Sequence, residues 1–168
     1  MQRRTLLKLG AASAAVLLVA GGTAALLQPG LAGGALSASG REVFSAVGRA
    51  VLDKTLPADE GARQIALNGL LSRVDVLVQS LPPHAQAELS QLLALLASAA
   101  GRRALAGLNR PWQEASVADI QQSLQDMRLS RLALRQQAYA ALHDITAGAY
   151  FSDPASWALL GYPGPMKI

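Results

Sequence analysis

The chain contains no cysteine. That excludes disulfides, thiolate metal sites and covalently attached c-type haem together. Aromatic residues are scarce, at 4%, and the chain is dominated by Ala and Leu. Such a composition suits close-packed helices better than a β sandwich, which would want many Val, Ile, Thr and Tyr. Charge is sparse as well, at 15%, and no charged residue lies between Lys8 and Arg41.

The net charge of +4 suggests nucleic acid at first sight. Its distribution argues otherwise. Arg3, Arg4 and Lys8 carry most of that excess, and the chain from Arg41 onward is nearly balanced. Binding a polyanion by counterion release needs an excess of cations, and the near-neutral remainder gives it no obvious footprint. The expected partners therefore include no nucleic acid.

What is present begins with an address. Residues 1–8 read M-Q-R-R-T-L-L-K and are followed by an uncharged run from Leu9 to Leu27. A basic start, an apolar stretch and then small residues with a helix breaker form the layout of a secretory signal. Arg3 and Arg4, followed by Thr5, Leu6, Leu7 and Lys8, resemble the twin-arginine motif that directs folded proteins across a membrane. A plain membrane anchor is the competing reading, because the uncharged run could just span a bilayer. Gly10, Gly21, Gly22 and several alanines weaken it, since they add little transfer energy. Small residues between Ala32 and Ser39 offer several plausible cleavage positions, and Gly33-Gly34 reads as a flexible processing region. A retained signal would tether the chain to the membrane.

Five helical stretches are expected after the signal. The first runs from about Arg41 to Leu56, with Val43, Phe44, Val47 and Val51 as one apolar stripe, and ends at Pro57. Asp59-Glu60 opens the second, where negative charge favours the start of a helix; its stripe is Leu67, Leu71, Val74, Val78 and Leu81. Pro82-Pro83 forces a break, because proline lacks the amide donor and clashes with the preceding turn. The third runs from Pro83 to about Ala100 with Leu89, Leu92, Leu93 and Leu96 inward, so the second and third should form a helical hairpin. Gly107 to Trp112 reads as a loop. Ser116 to Asp119 resembles a capping box and opens a fourth helix to about Arg128. A fifth, from about Ser130 to Gly148, could run on from it, since no strong breaker separates them. No stretch alternates long enough to mark a strand.

The expected fold is all-α, a small antiparallel or orthogonal helix bundle behind a signal helix. Residues 1–38 form the signal and processing region, 39–148 the bundle, and 149–168 a rigid, aromatic, proline-rich, non-helical tail. That tail holds Tyr150, Phe151, Trp157 and Tyr162 together with Pro154, Pro163 and Pro165.

Sites for chemistry are hard to find. His84 and His143 belong to no zinc spacing, and His143 beside Asp144 should point to a different helix face. There is no nucleophile elbow and no phosphate-binding glycine loop. Arg128, Arg131 and Arg135 are spaced to line one helix face, and Arg102-Arg103 adds a second basic spot. A solvated face is the plain reading, and an acidic partner the functional one. No catalytic residue, metal ligand or cofactor-binding residue is assigned. Tyr150, Phe151, Pro154, Trp157, Tyr162 and Pro163 are the candidate partner interface, because aromatic residues and prolines in a fixed loop bury area at low entropic cost. The same segment could instead fold back and cap its own bundle.

The twin-arginine start, Leu56-Pro57 closing the first helix, and the ending A-Y-F-S-D-P-A-S-W-A-L-L-G-Y-P-G-P from Ala149 to Pro165 together resemble one family. It comprises the small twin-arginine-signal subunits of periplasmic flavin-dependent dehydrogenases of the glucose-methanol-choline type. Gluconate 2-dehydrogenase subunit 3 and the small subunits of glucose and sorbitol dehydrogenases belong to it. Only the two ends are specific in letters. The resemblance implies a non-catalytic accessory subunit, a chaperone-like escort for a catalytic subunit that holds FAD and crosses by the twin-arginine translocase. A c-type cytochrome subunit commonly accepts the electrons. It further implies that Arg3 and Arg4, with Leu6, Leu7 and Lys8, are the export determinant. Tyr150, Phe151, Pro154, Trp157, Gly161, Tyr162, Pro163 and Gly164 would be the shared terminal motif. Some members contain cysteine, and this chain does not. The alternatives are a free-standing periplasmic bundle that holds a small apolar ligand between its leucine stripes, and a small hydrolase or isomerase using scattered carboxylates.

Overall fold

A computed structural model describes residues 28–164. The twin-arginine stretch, the expected signal helix and the residues from Pro165 onward lie outside the described residues.

Among the described residues the fold is all-α apart from one small hairpin. Strands β1 (Leu31–Ala32) and β2 (Ala35–Leu36) pair antiparallel, with Leu31 opposite Leu36 and Ala32 opposite Ala35. Six α-helices come after the hairpin among the described residues: α1 (Ala38–Val51), α2 (Glu60–Gln79), α3 (Pro83–Ala97), the single turn α4 (Ala99–Gly101), α5 (Val117–Arg128) and α6 (Ala133–Phe151). A π-helical turn, Arg102–Ala106, continues α4, and a 3-10 helix, Pro154–Leu160, comes after α6.

Helix α1 is the centre of the molecule. Ser37 caps it, its hydroxyl accepting from Gly40 N at 3.2 Å, so the helix starts ahead of the expected Arg41. It touches α2, α3, α5 and α6. That many neighbours require a wide apolar face, and Val43, Phe44 and Val47 are fully buried, with Ala46, Gly48 and Ala50 buried beside them. Each large side chain so buried contributes about 1.5–3 kcal/mol relative to exposure.

The stripes read from the sequence are the core. Leu67, Leu71, Val74 and Val78 of α2 and Leu89, Leu93 and Leu96 of α3 are buried. The expected pairing of these two helices is corrected. Instead of lying side by side, α2 packs on α1 and α6, while α3 packs on α1. With the Val43–Phe44–Val47 surface available to both, α1 serves as the shared neighbour.

The capping box forms as expected: Ser116 Oγ accepts from Asp119 N, and the Asp119 carboxylate accepts from Ser116 N. Helices α5 and α6 are not continuous. The chain leaves helical geometry at Leu129–Leu132, where Ser130 Oγ accepts from Leu132 N at 3.2 Å, a local alternative to the helix ladder. The two helices then fold onto each other. In the loop after the π turn, Trp112 is buried and donates its indole N–H to Leu96 O at 2.7 Å.

Two further expectations change. Gly33 and Gly34 form the hairpin turn, both with positive φ (59° and 80°), the geometry a two-residue hairpin loop demands and glycine supplies. The tail is not non-helical. Tyr150 and Phe151 complete α6, and Trp157 sits in the 3-10 helix.

Candidate functional site

The terminal segment is built around one cation. Arg73, near the middle of α2, donates through Nε to Ala149 O at 2.9 Å and pairs through Nη1 with Asp153 at 3.0 Å. A guanidinium suits this task because its fork engages a carbonyl and a carboxylate at once, at a helix end where the dipole favours positive charge. Asp153 in turn organises the next turn of the chain. Its carboxylate accepts from Ala155 N at 3.0 Å, and its carbonyl accepts from the Ser156 backbone and hydroxyl. Pro154 thus opens a 3-10 helix already fixed to the bundle.

The aromatic residues divide between core and surface. Tyr150 is buried, its hydroxyl donating to Thr55 O at 3.3 Å, and its ring meets Phe151 edge-on at 5.2 Å. Phe151 packs half-buried against the core. Trp157 is also half-buried, its indole N–H donating to Phe151 O at 2.8 Å. The chain then reverses at Gly161, whose φ is 65°, and Tyr162 N donates to Trp157 O at 3.1 Å. That turn lays the Tyr162 ring edge-on against Trp157 at 5.4 Å. Tyr162 is nevertheless 49% exposed, and Pro154 and Pro163 are exposed with it. The segment both caps its own bundle and presents an aromatic edge.

Other large apolar side chains face solvent. Ile65 and Val76 do so on α2, and Leu129 and Leu132 at the α5–α6 turn. The arginines do not line one helix face: Arg128 ends α5, Arg131 lies in the turn, and Arg135 in α6 donates to Leu105 O at 2.8 Å. The break at Leu129–Leu132 is the reason. Of the second basic spot, Arg103 is exposed, while Arg102 is buried. Arg102 Nη1 donates to Ala97 O at 3.4 Å and its Nε has no partner. Thr146 Oγ1, fully buried in α6, likewise lacks one. Sequence reading missed both, because only the packing reveals that they are inside.

His143 and Asp144 come together after all, Nδ1 to Oδ1 at 3.0 Å, both at the surface, with Tyr139 stacked on the imidazole at 5.3 Å. Adjacent positions diverge at Cβ, yet these side chains turn toward one another. His84 is exposed in the first turn of α3. Among the described residues, no group of three or more His, Asp or Glu could hold a metal ion. A depression of about 310 Å³ beside α1 is lined by Arg41, Glu42, Arg49 and Gln113 among others. Its cations have structural partners: Arg41 pairs with Asp75, and Arg49 donates to Trp112 O at 3.2 Å. The leucine stripes do not line it, apart from Leu71 at its edge.

Compared with known protein families, with curated proteins and with solved structures, the chain matches none.

Proposed function

We propose that this chain is the non-catalytic small subunit of a periplasmic FAD-dependent dehydrogenase, escorting its cofactor-loaded partner through twin-arginine export and stabilising it afterwards. The FAD belongs to the partner, a c-type cytochrome subunit takes the electrons, and the export signal precedes the bundle in the chain. The substrate class is an alcohol or sugar, as the resemblance of the two ends implies.

The observation that carries this reading is the terminal segment from Ala149. Its letters resemble the family, and its geometry suits an anchor: Arg73 holds the backbone, while Pro154, Tyr162 and Pro163 face outward. An aromatic edge on a rigid seat loses little entropy on docking. The twin-arginine start supports the same reading from the other end, because export in the folded state makes sense for a domain that accompanies a protein loaded with its cofactor beforehand.

The test replaces Arg3 and Arg4 with Lys. Both this chain and flavin-linked dehydrogenase activity should then disappear from the periplasm. A flavoprotein that still reaches the periplasm would contradict the escort role.

A further inference from the structure

We infer that Gly30 to Ser39 remain in the exported protein, because the hairpin ties every small-residue cleavage position between Ala32 and Ser39 into the folded structure. This rests on the export reading above.

A processing peptidase binds its substrate as an extended strand, pairing with its backbone and seating alternate small side chains in pockets. Here the extended stretches are only two residues each, already paired with one another, and the backbone on either side of them is held by the helices. Gly30 N donates to Ser90 O at 3.2 Å and Leu31 N to Ser90 Oγ at 3.1 Å, both on α3. Leu36 N donates to Asp75 Oδ1 at 2.8 Å on α2, and Ser37 N returns to Gly30 O at 3.0 Å. The Asp75 carboxylate also holds Arg41 at the start of α1. One acid thus fixes the hairpin to two helices.

Conformation adds to the hydrogen bonds. Gly33 and Gly34 have left-handed backbone, Leu36 is 5% exposed, and Ala38 to Gly40 are already helical. Packing at the base is too close for side chains. A Cβ on Gly30 would collide with the Leu93 side chain, and one on Gly40 with the Gly30 carbonyl. Glycine at these two positions lets the chain entering β1 lie against α3 and against the start of α1. Because a twin-arginine substrate folds before it crosses, the hairpin is formed before any enzyme on the far side meets it. A leader is therefore removed ahead of Gly30 or kept as a tether that leaves the body beside Ser90.

The test uses the full chain. Exported protein is recovered from the periplasm and its N-terminus fixed by intact mass. In parallel, purified chain is treated with a protease that cuts beside small apolar residues. The native protein should show N-termini only at or ahead of Gly30. Asp75→Ala, and separately Leu36→Ala, should be cut between Ala32 and Ser39 at least tenfold faster while keeping native helix content. A native N-terminus within residues 31–39, or no acceleration in both variants, would overturn the inference. Retention of the chain in the cytoplasm would sink the export reading instead, and the protease pattern would still report on the hairpin.

Discussion

Arg73 of α2 and Asp153, just past the end of α6, pair at 3.0 Å and join the middle of the chain to its terminal segment. The same guanidinium donates to Ala149 O. Removing it should free the aromatic segment while leaving the core intact. Arg73→Ala should cost about 1–2 kcal/mol, since the pair is about one-third exposed and screened by solvent. Urea unfolding measures the loss. Arg73→Lys should recover only part of it, because a point charge cannot serve carbonyl and carboxylate together.

Thr146 supplies a prediction of opposite sign. Its hydroxyl is buried with no hydrogen-bond partner, so folding strips it of water without return. Thr146→Val keeps the shape and removes the polar atom. The variant should be more stable by about 1 kcal/mol, within the usual range for an unsatisfied buried group. A lower thermal midpoint would contradict this.

Trp112 fills the core from a loop and donates to Leu96 O. Trp112→Phe removes the donor and some volume together, leaving a carbonyl without its partner. The expected loss is about 2–3 kcal/mol, with Trp112→Ala nearer the roughly 3–5 kcal/mol typical of large-to-small core changes. Denaturant titration of both variants checks the order.

Much of this architecture was legible in the sequence. Spacings of three and four around Val43, Leu67 and Leu89 marked the buried stripes, and Pro82-Pro83 and Ser116–Asp119 marked two boundaries. The features that escaped depend on contacts distant in sequence. Strands of two residues are too short to show alternation, so the hairpin at Gly33-Gly34 read as a flexible stretch. The break after Leu129 carries neither glycine nor proline, and with it went the expected arginine face. The short link between α2 and α3 favours pairing the two, but α1 supplies both with a better surface. At the candidate site, the aromatic letters were visible, whereas the division between buried Tyr150 and exposed Tyr162 needed the fold.

That division makes Tyr162 the residue for separating binding from stability. At 49% exposure it contributes little to the core. Tyr162→Ala should change unfolding free energy by no more than about 0.5 kcal/mol, as surface substitutions generally do. For the interface proposed above, loss of such an anchor commonly costs about 2 kcal/mol or more, so affinity for the proposed flavoprotein partner should fall at least about tenfold. Binding isotherms with the native and variant chains decide the matter.

Whether this chain works by holding a flavoprotein is tested most directly by a tagged pull-down from the periplasm. Intact mass and a visible absorption spectrum of the eluate are the readouts. A second, larger chain should come down in fixed proportion, with flavin absorption and dehydrogenase turnover that the small chain alone does not show. A colourless monomer, recovered without a partner under conditions that preserve complexes, would contradict the escort role.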